Sequence, residues 1–141
     1  MVLVLGFGNP TRGDDAAGWE VARRLEAREI PGVETRTSQQ LNVELIEEWG
    51  SYERILLIDA DPQGRQVRIE KVDPKANASS STHHLSPESL LQLSRILYDS
   101  SPQVYLCRVP AQSFEFTESF SPATRQALDE AVEAALQWIQ E

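Results

Sequence analysis

Cysteine is almost missing from this chain of 141 residues: Cys107 stands alone. A single thiol permits neither an intramolecular disulfide nor a cysteine-based zinc cluster, and it implies a reducing compartment. Its place in the apolar run Val104, Tyr105, Leu106 reads as a small buried hydrophobe rather than a catalytic thiol. Basic charge is also scarce, with 13 basic residues against 22 acidic ones and a net charge of −9. Such a chain repels phosphate, so neither nucleic acid nor an anionic membrane is an expected partner. Long apolar stretches are lacking as well. The run at 2–5 has no basic residues before it and ends at Gly6, so no signal peptide or membrane span is expected and the chain is expected to be cytoplasmic. With only seven glycines and eight prolines against 40% hydrophobic residues, the composition excludes a disordered or collagen-like chain. The length suits one folded domain over 1–141, expected to act as a monomer.

Apolar runs alternate with amphipathic stretches. Residues 2–5 read as a strand buried on both faces, and Ala17, Val21, Ala22 and Leu25 recur at helical spacing behind it. A second strand is expected at 33–37 after the Pro31–Gly32 turn, and a second helix at 41–49 closed by Gly50. The run 54–60 is the clearest buried strand and meets an aspartate, Asp59, near its end. Val67, Ile69 and the pair Lys71-Val72 alternate with polar residues, as in a half-exposed edge strand running against the others. Ser86-Pro87 predicts a helix start, with Leu90, Leu91, Leu93, Ile96 and Leu97 as its apolar residues. A last strand is expected at 103–109, and Ser121-Pro122 opens a long helix with a stripe of Leu128, Val132, Leu136 and Ile139. This order predicts a three-layer α/β/α sandwich around a twisted, mostly parallel five-stranded sheet with one antiparallel strand.

In such a sheet, sites form at the C-terminal strand ends. Asp14 and Asp15 follow the first strand, Asp59 ends the third, and His83 with His84 precedes a helix. Two carboxylates and an imidazole on one edge form a donor set suited to a divalent transition metal with open positions. Each residue also has a plain structural reading: helix capping for the acidic pair, a turn after Asp59, an exposed loop for the histidines. Asp14 is assigned to capping, leaving Asp15, Asp59 and a histidine. Gly6-Phe7-Gly8 invites a dinucleotide-binding reading, but Thr11 stands where a third glycine is needed and two aspartates would repel the pyrophosphate. The serines at 79–81 lack a GxSxG elbow, which argues against a serine hydrolase. Arg12-Gly13-Asp14 matches an adhesion tripeptide by chance.

The pattern Gly6-x-Gly8-Asn9 followed by Asp14-Asp15 and Gly18 resembles the opening signature of the hydrogenase maturation proteases. Ile58-Asp59-Ala60, His83-His84-Leu85-Ser86-Pro87, and Val109-Pro110 with Phe120-Ser121-Pro122 resemble three further segments of that family, in order along nearly the whole chain. The resemblance implies an endopeptidase that removes the C-terminal tail of a [NiFe] hydrogenase large-subunit precursor after nickel insertion. It maps metal contacts and catalysis onto Asp15, Asp59 and His83, and the spacing to Leu85 and Leu91 favours His83 over His84. It implies no cofactor of the enzyme's own, because the nickel is carried by the precursor. Gly6, Gly8 and Asn9 are expected to bind substrate, through the glycine amides and Asn9. Ala16 departs from the glycine usual after the acidic pair, and Ser38-Gln39-Gln40-Leu41 departs from the glycines usual after the second strand; both concern loop shape. Two other readings stay open: a self-contained zinc metallohydrolase, and a nickel-delivery or chaperone protein that holds the large subunit without cutting it.

Overall fold

A computed structural model describes residues 1–74, 85–99 and 102–141. Its centre is a sheet of five strands: β1 (Val2–Phe7), β2 (Val33–Ser38), β3 (Arg54–Asp61), β4 (Arg68–Lys71) and β5 (Gln103–Pro110), in the spatial order β2-β1-β3-β5-β4. The first four in that order are parallel, and β4 runs antiparallel along β5 at the edge. The helices are α1 (Ala17–Glu26), α2 (Ile46–Trp49), α3 (Pro87–Tyr98) and α4 (Pro122–Gln140). The expected mixed, three-layer architecture is therefore present.

The alternation of side chains along each strand decides which helix covers which face. Val4, Leu56, Ile58, Cys107 and Val109 point to one side, where they pack with Val21 and Leu25 of α1 and with Leu128, Val132 and Trp138 of α4. Leu3, Leu5, Ile55, Leu57 and Leu106 point to the other, against Ile46 and Trp49 of α2 and Leu90 and Leu91 of α3. The strands are apolar at successive positions because both faces are covered. Cys107 is fully buried, and its thiol is pushed up to about 12 by desolvation, so it is inert packing.

Several local details differ from the sequence expectations. Residues 41–49 are not one helix: Leu41 and Asn42 are non-helical, a 3-10 turn covers Val43–Leu45, and α2 is a single turn. Gly50 follows it in right-handed conformation, so no left-handed glycine cap ends that helix. Ile96 and Leu97 are exposed rather than core. Ile96 falls on the far side of α3 from Leu90, and Leu97 lies in the last turn before the helix ends at Asp99 in left-handed conformation. The starts of α3 and α4 are capped as expected, with Ser86 Oγ accepting from the Ser89 amide and Ser121 Oγ from the Thr124 amide.

The start of α1 is held against the sheet by backbone contact. A Cβ added at Gly18 would stand 2.4 Å from the Ile58 carbonyl oxygen, and one added at Gly6 would stand 2.0 Å from the Gly18 carbonyl oxygen. Helix and strands touch without side chains between them, and any larger residue must push them apart. Gly18→Ala is expected to destabilise the fold by about 1–3 kcal/mol in urea unfolding. At an exposed helical glycine the same change gains about 1 kcal/mol, so the sign of the shift is diagnostic.

Candidate active site

The residues between β1 and α1 form a tight turn whose shape depends on Gly8. Gly8 has φ +141, and a Cβ there would meet the Asp15 carbonyl oxygen at 2.1 Å. Only glycine suits both the backbone angle and the gap. Its amide donates to the Ser38 carbonyl at 3.1 Å, and the Trp19 indole N–H donates to the same oxygen at 2.9 Å. The end of β2, the turn and α1 are thereby joined at one atom. Asp15 then projects from a 3-10 turn over Gly13–Ala16, and its Oδ2 accepts the Asn9 amide at 2.7 Å.

Asp59 lies two residues inside the end of β3, paired in register with Arg108 of β5. It shares a face with Leu57, the face that α2 and α3 cover further back. Beyond those helices this face opens into a cleft of about 660 Å³, lined by Phe7, Gly8, Asp15, Asp59 and Arg108, by residues 39–43 after β2, and by Leu85, Pro87 and Glu88 at the start of α3. The volume is in the range of small-molecule and peptide sites. Asp15 and Asp59 thus meet in one cleft at the C-terminal strand edge.

Burial is the main cause that pushes the Asp59 carboxyl up to about 7, and the neighbouring Asp15 charge adds to it. The Ala60 amide and the Arg108 guanidinium oppose the rise, and Asp61 adds to it. A carboxyl in this state exchanges a proton near neutrality, as a general acid or base requires.

Asp14 has a different role from the capping assigned to it. It caps neither the 3-10 turn nor α1. Fully buried, it accepts hydrogen bonds at Oδ2 from the Gln112 and Ser113 amides and the Ser121 hydroxyl, at 2.7, 2.9 and 2.7 Å. Its Oδ1 accepts the Ser121 amide at 2.8 Å. Burial is the largest single influence and would raise its pKa, but these donors together outweigh it and hold the carboxyl at about 2. Backbone bonds from the Gly13 amide to Thr117 and from the Asp14 amide to Ser113, both 2.8 Å, complete the clamp between the turn and the loop before α4. The side chain points away from its own helix because four donors on the 111–121 loop converge on it.

Neither a family model nor a curated protein sequence matches this chain. Solved structures do. The hydrogenase maturating endopeptidase HybD from E. coli aligns over 99% of this chain and 91% of its own, with a TM-score of 0.79 and 21% identity. The [NiFe] hydrogenase maturation protease HycI from Thermococcus kodakarensis KOD1 aligns over 99% and 92%, with a TM-score of 0.76 and 20% identity. A hydrogenase 2 maturation peptidase from Thaumarchaeota archaeon SCGC_AB-539-E09 aligns over 98% and 97%, with a TM-score of 0.73 and 21% identity. The chain has the hydrogenase maturation protease fold.

Within this maturation-protease fold the predicted site residues separate into three groups. Asp15 and Asp59 come together. His83 and His84 lie outside the described residues, and among the described residues no three His, Cys, Asp or Glu side chains gather as a metal site. Of the residues expected to bind substrate, Gly6 is buried inside β1 between β2 and β3, and the Gly8 amide is taken by Ser38. The Asn9 amide is taken by Asp15, and its side-chain oxygen accepts the Thr11 amide and hydroxyl. The expected donation of the glycine amides to a peptide is therefore not available: both are engaged inside the protein, and Gly6 and Gly8 shape the cleft instead. Arg108 escaped notice in the sequence, although it interrupts an apolar strand just as Asp59 does. No helix among the described residues is long and apolar enough to cross a membrane.

Two titrations test this electrostatic arrangement. The depressed Asp14 pKa contributes stability that is full above the unfolded value of 3.8 and lost as pH falls through about 2. The stability gap between wild type and Asp14→Asn should therefore shrink by about 2 kcal/mol from pH 5 to pH 2 in urea titrations. The raised Asp59 pKa has the opposite sign: its folded state is favoured below 3.8 and loses that advantage as pH rises through about 7. Carboxyl carbon NMR should show Asp59 titrating near 7, and Asp15→Asn should lower that midpoint; an unchanged midpoint in the variant would remove Asp15 as a cause.

Proposed function

We propose that this chain is a cytoplasmic, monomeric endopeptidase that removes the C-terminal tail of a [NiFe] hydrogenase large-subunit precursor once nickel has been inserted. The observation that carries this reading is the convergence of Asp15 and Asp59 in one open cleft, on the fold shared with HybD and HycI. Two carboxylates that repel one another, as the effect of Asp15 on Asp59 shows, gain from a cation placed between them. The nickel is part of the substrate, and the enzyme brings no cofactor of its own. Asp15, Asp59 and neutral His83 would supply oxygen and nitrogen donors of the type divalent nickel accepts.

Docking on nickel checks that metallation is complete and brings the tail into the cleft. Water then adds to the scissile carbonyl, a carboxylate takes its proton, and the C–N bond breaks as the amine leaves protonated. Before nickel docks, burial and the Asp15 charge keep a proton on Asp59 up to about pH 7; nickel would displace that proton and leave a carboxylate able to accept one from water. Nickel in this scheme orients the peptide, and the aspartate performs the acid–base step.

Incubation of nickel-loaded precursor with the wild-type chain should release a C-terminal peptide detectable by mass. Asp15→Asn and His83→Ala should each slow release by on the order of a hundredfold or more. Nickel-free precursor should stay intact, and its efficient cleavage would overturn recognition of the metal. A nickel-loaded precursor that binds but remains full length would instead favour a delivery or chaperone role.

A further inference from the structure

Arg108 stands at the junction of two clefts. One holds Asp15 and Asp59; the other, about 700 Å³, lies over the β4–β5 edge and is lined by Asp61, Gln63, Arg65, Gln66, Arg68, Glu70 and Arg108. The register explains why they join. Arg108 is paired with Asp59 on one side and with Arg68 on the other, so the three side chains stand in a row on one face of the sheet. Two arginines directly opposite one another cost stability unless an anion lies between or over them.

The acids nearby do not fully supply that anion. Glu70 pairs with Arg68 at 3.0 Å, and Asp61 is engaged by its own turn, where Oδ1 accepts the Gln63 amide at 3.0 Å. Asp59, the register partner of Arg108, feels its charge, but among the described residues no hydrogen bond or ion pair holds Arg108 or Arg65. On a chain of net charge −9 this leaves two guanidinium groups, one half-buried and one exposed, facing the same groove. A guanidinium presents paired donors that match a carboxylate and desolvates more readily than an ammonium.

We propose that Arg108 and Arg65, with Arg68 beside them, form a subsite for the side-chain carboxylate of an acidic residue in the peptide bound across the cleft. The identification of that peptide as a precursor tail rests on the peptidase reading; the carboxylate specificity does not. From β3 to β4 the groove crosses two strand spacings, about 9–10 Å. An extended peptide covers that span in about three residues. The acidic residue therefore lies within about three positions of the bond held over Asp59.

The test uses the full chain and follows arginine side-chain Nε–H NMR signals during titration with N-acetylglutamate N-methylamide, against the corresponding glutamine compound. The Arg108 and Arg65 signals should move saturably with the glutamate compound and not with the glutamine one. Arg108→Gln should weaken binding by about tenfold, the scale of one charge-assisted pair. Arg65→Gln, at an exposed loop position, should weaken it without touching the core. No saturable movement, an equal response to glutamine, or tighter binding of inorganic phosphate would each overturn the proposal. Because no cleavage is read, a precursor that is never cut would refute the peptidase reading and leave this result standing.

Discussion

The close approach of α1 to the sheet is the contact on which the site depends. Gly6 and Gly18 let a helix start touch strand backbone, and Gly8 lets the intervening turn fold back under Asp15. Without those three gaps the helix would sit a side chain's thickness further out, and the Asp15 carboxylate would move out with it. The glycines that look like a phosphate loop in the sequence act here by being small. They bring a carboxylate carried on a helix start to one carried on a strand.

The acidic pair at 14 and 15 shows how neighbouring residues of related chemistry acquire different tasks. Asp14 points back into the protein, where four donors keep it ionised and bind the 111–121 loop to the turn. Asp15 points forward into the cleft, where its charge helps to hold a proton on Asp59. One carboxylate fixes the position of the turn; the other uses that position. The rigid side of the site is therefore electrostatic as well as steric, and it weakens in acid for the reason that Asp14 must then accept a proton.

Much of the architecture was legible because the apolar pattern of a doubly covered strand is unambiguous. The runs at 2–5, 54–60 and 103–109 became β1, β3 and β5, and Val67 and Ile69, alternating with polar residues, marked the edge strand, with Val72 following on the opposite face. The stretch 41–49 was misread because its apolar residues satisfy helical spacing while only its last turn is an α-helix. Leu97 misled for a related reason: periodicity places a residue on a face but does not say where the covered part of that face ends. Arg108 carried a usable signal, a lone charge in an apolar strand, which becomes meaningful only when its neighbours in the sheet are known.

Local pattern and residue chemistry are enough to set the alternation of strands and helices, the capped helix starts and the candidate acids. Tertiary structure alone decided which acid does what. Asp14 and Asp15 are both acids before a helix, and only the loop that returns after β5 supplies the donors that turn one inward. The position of Asp59 beside Asp15, and of Arg108 between Asp59 and Arg68, is likewise set by strand order and register, which bring together residues far apart along the chain.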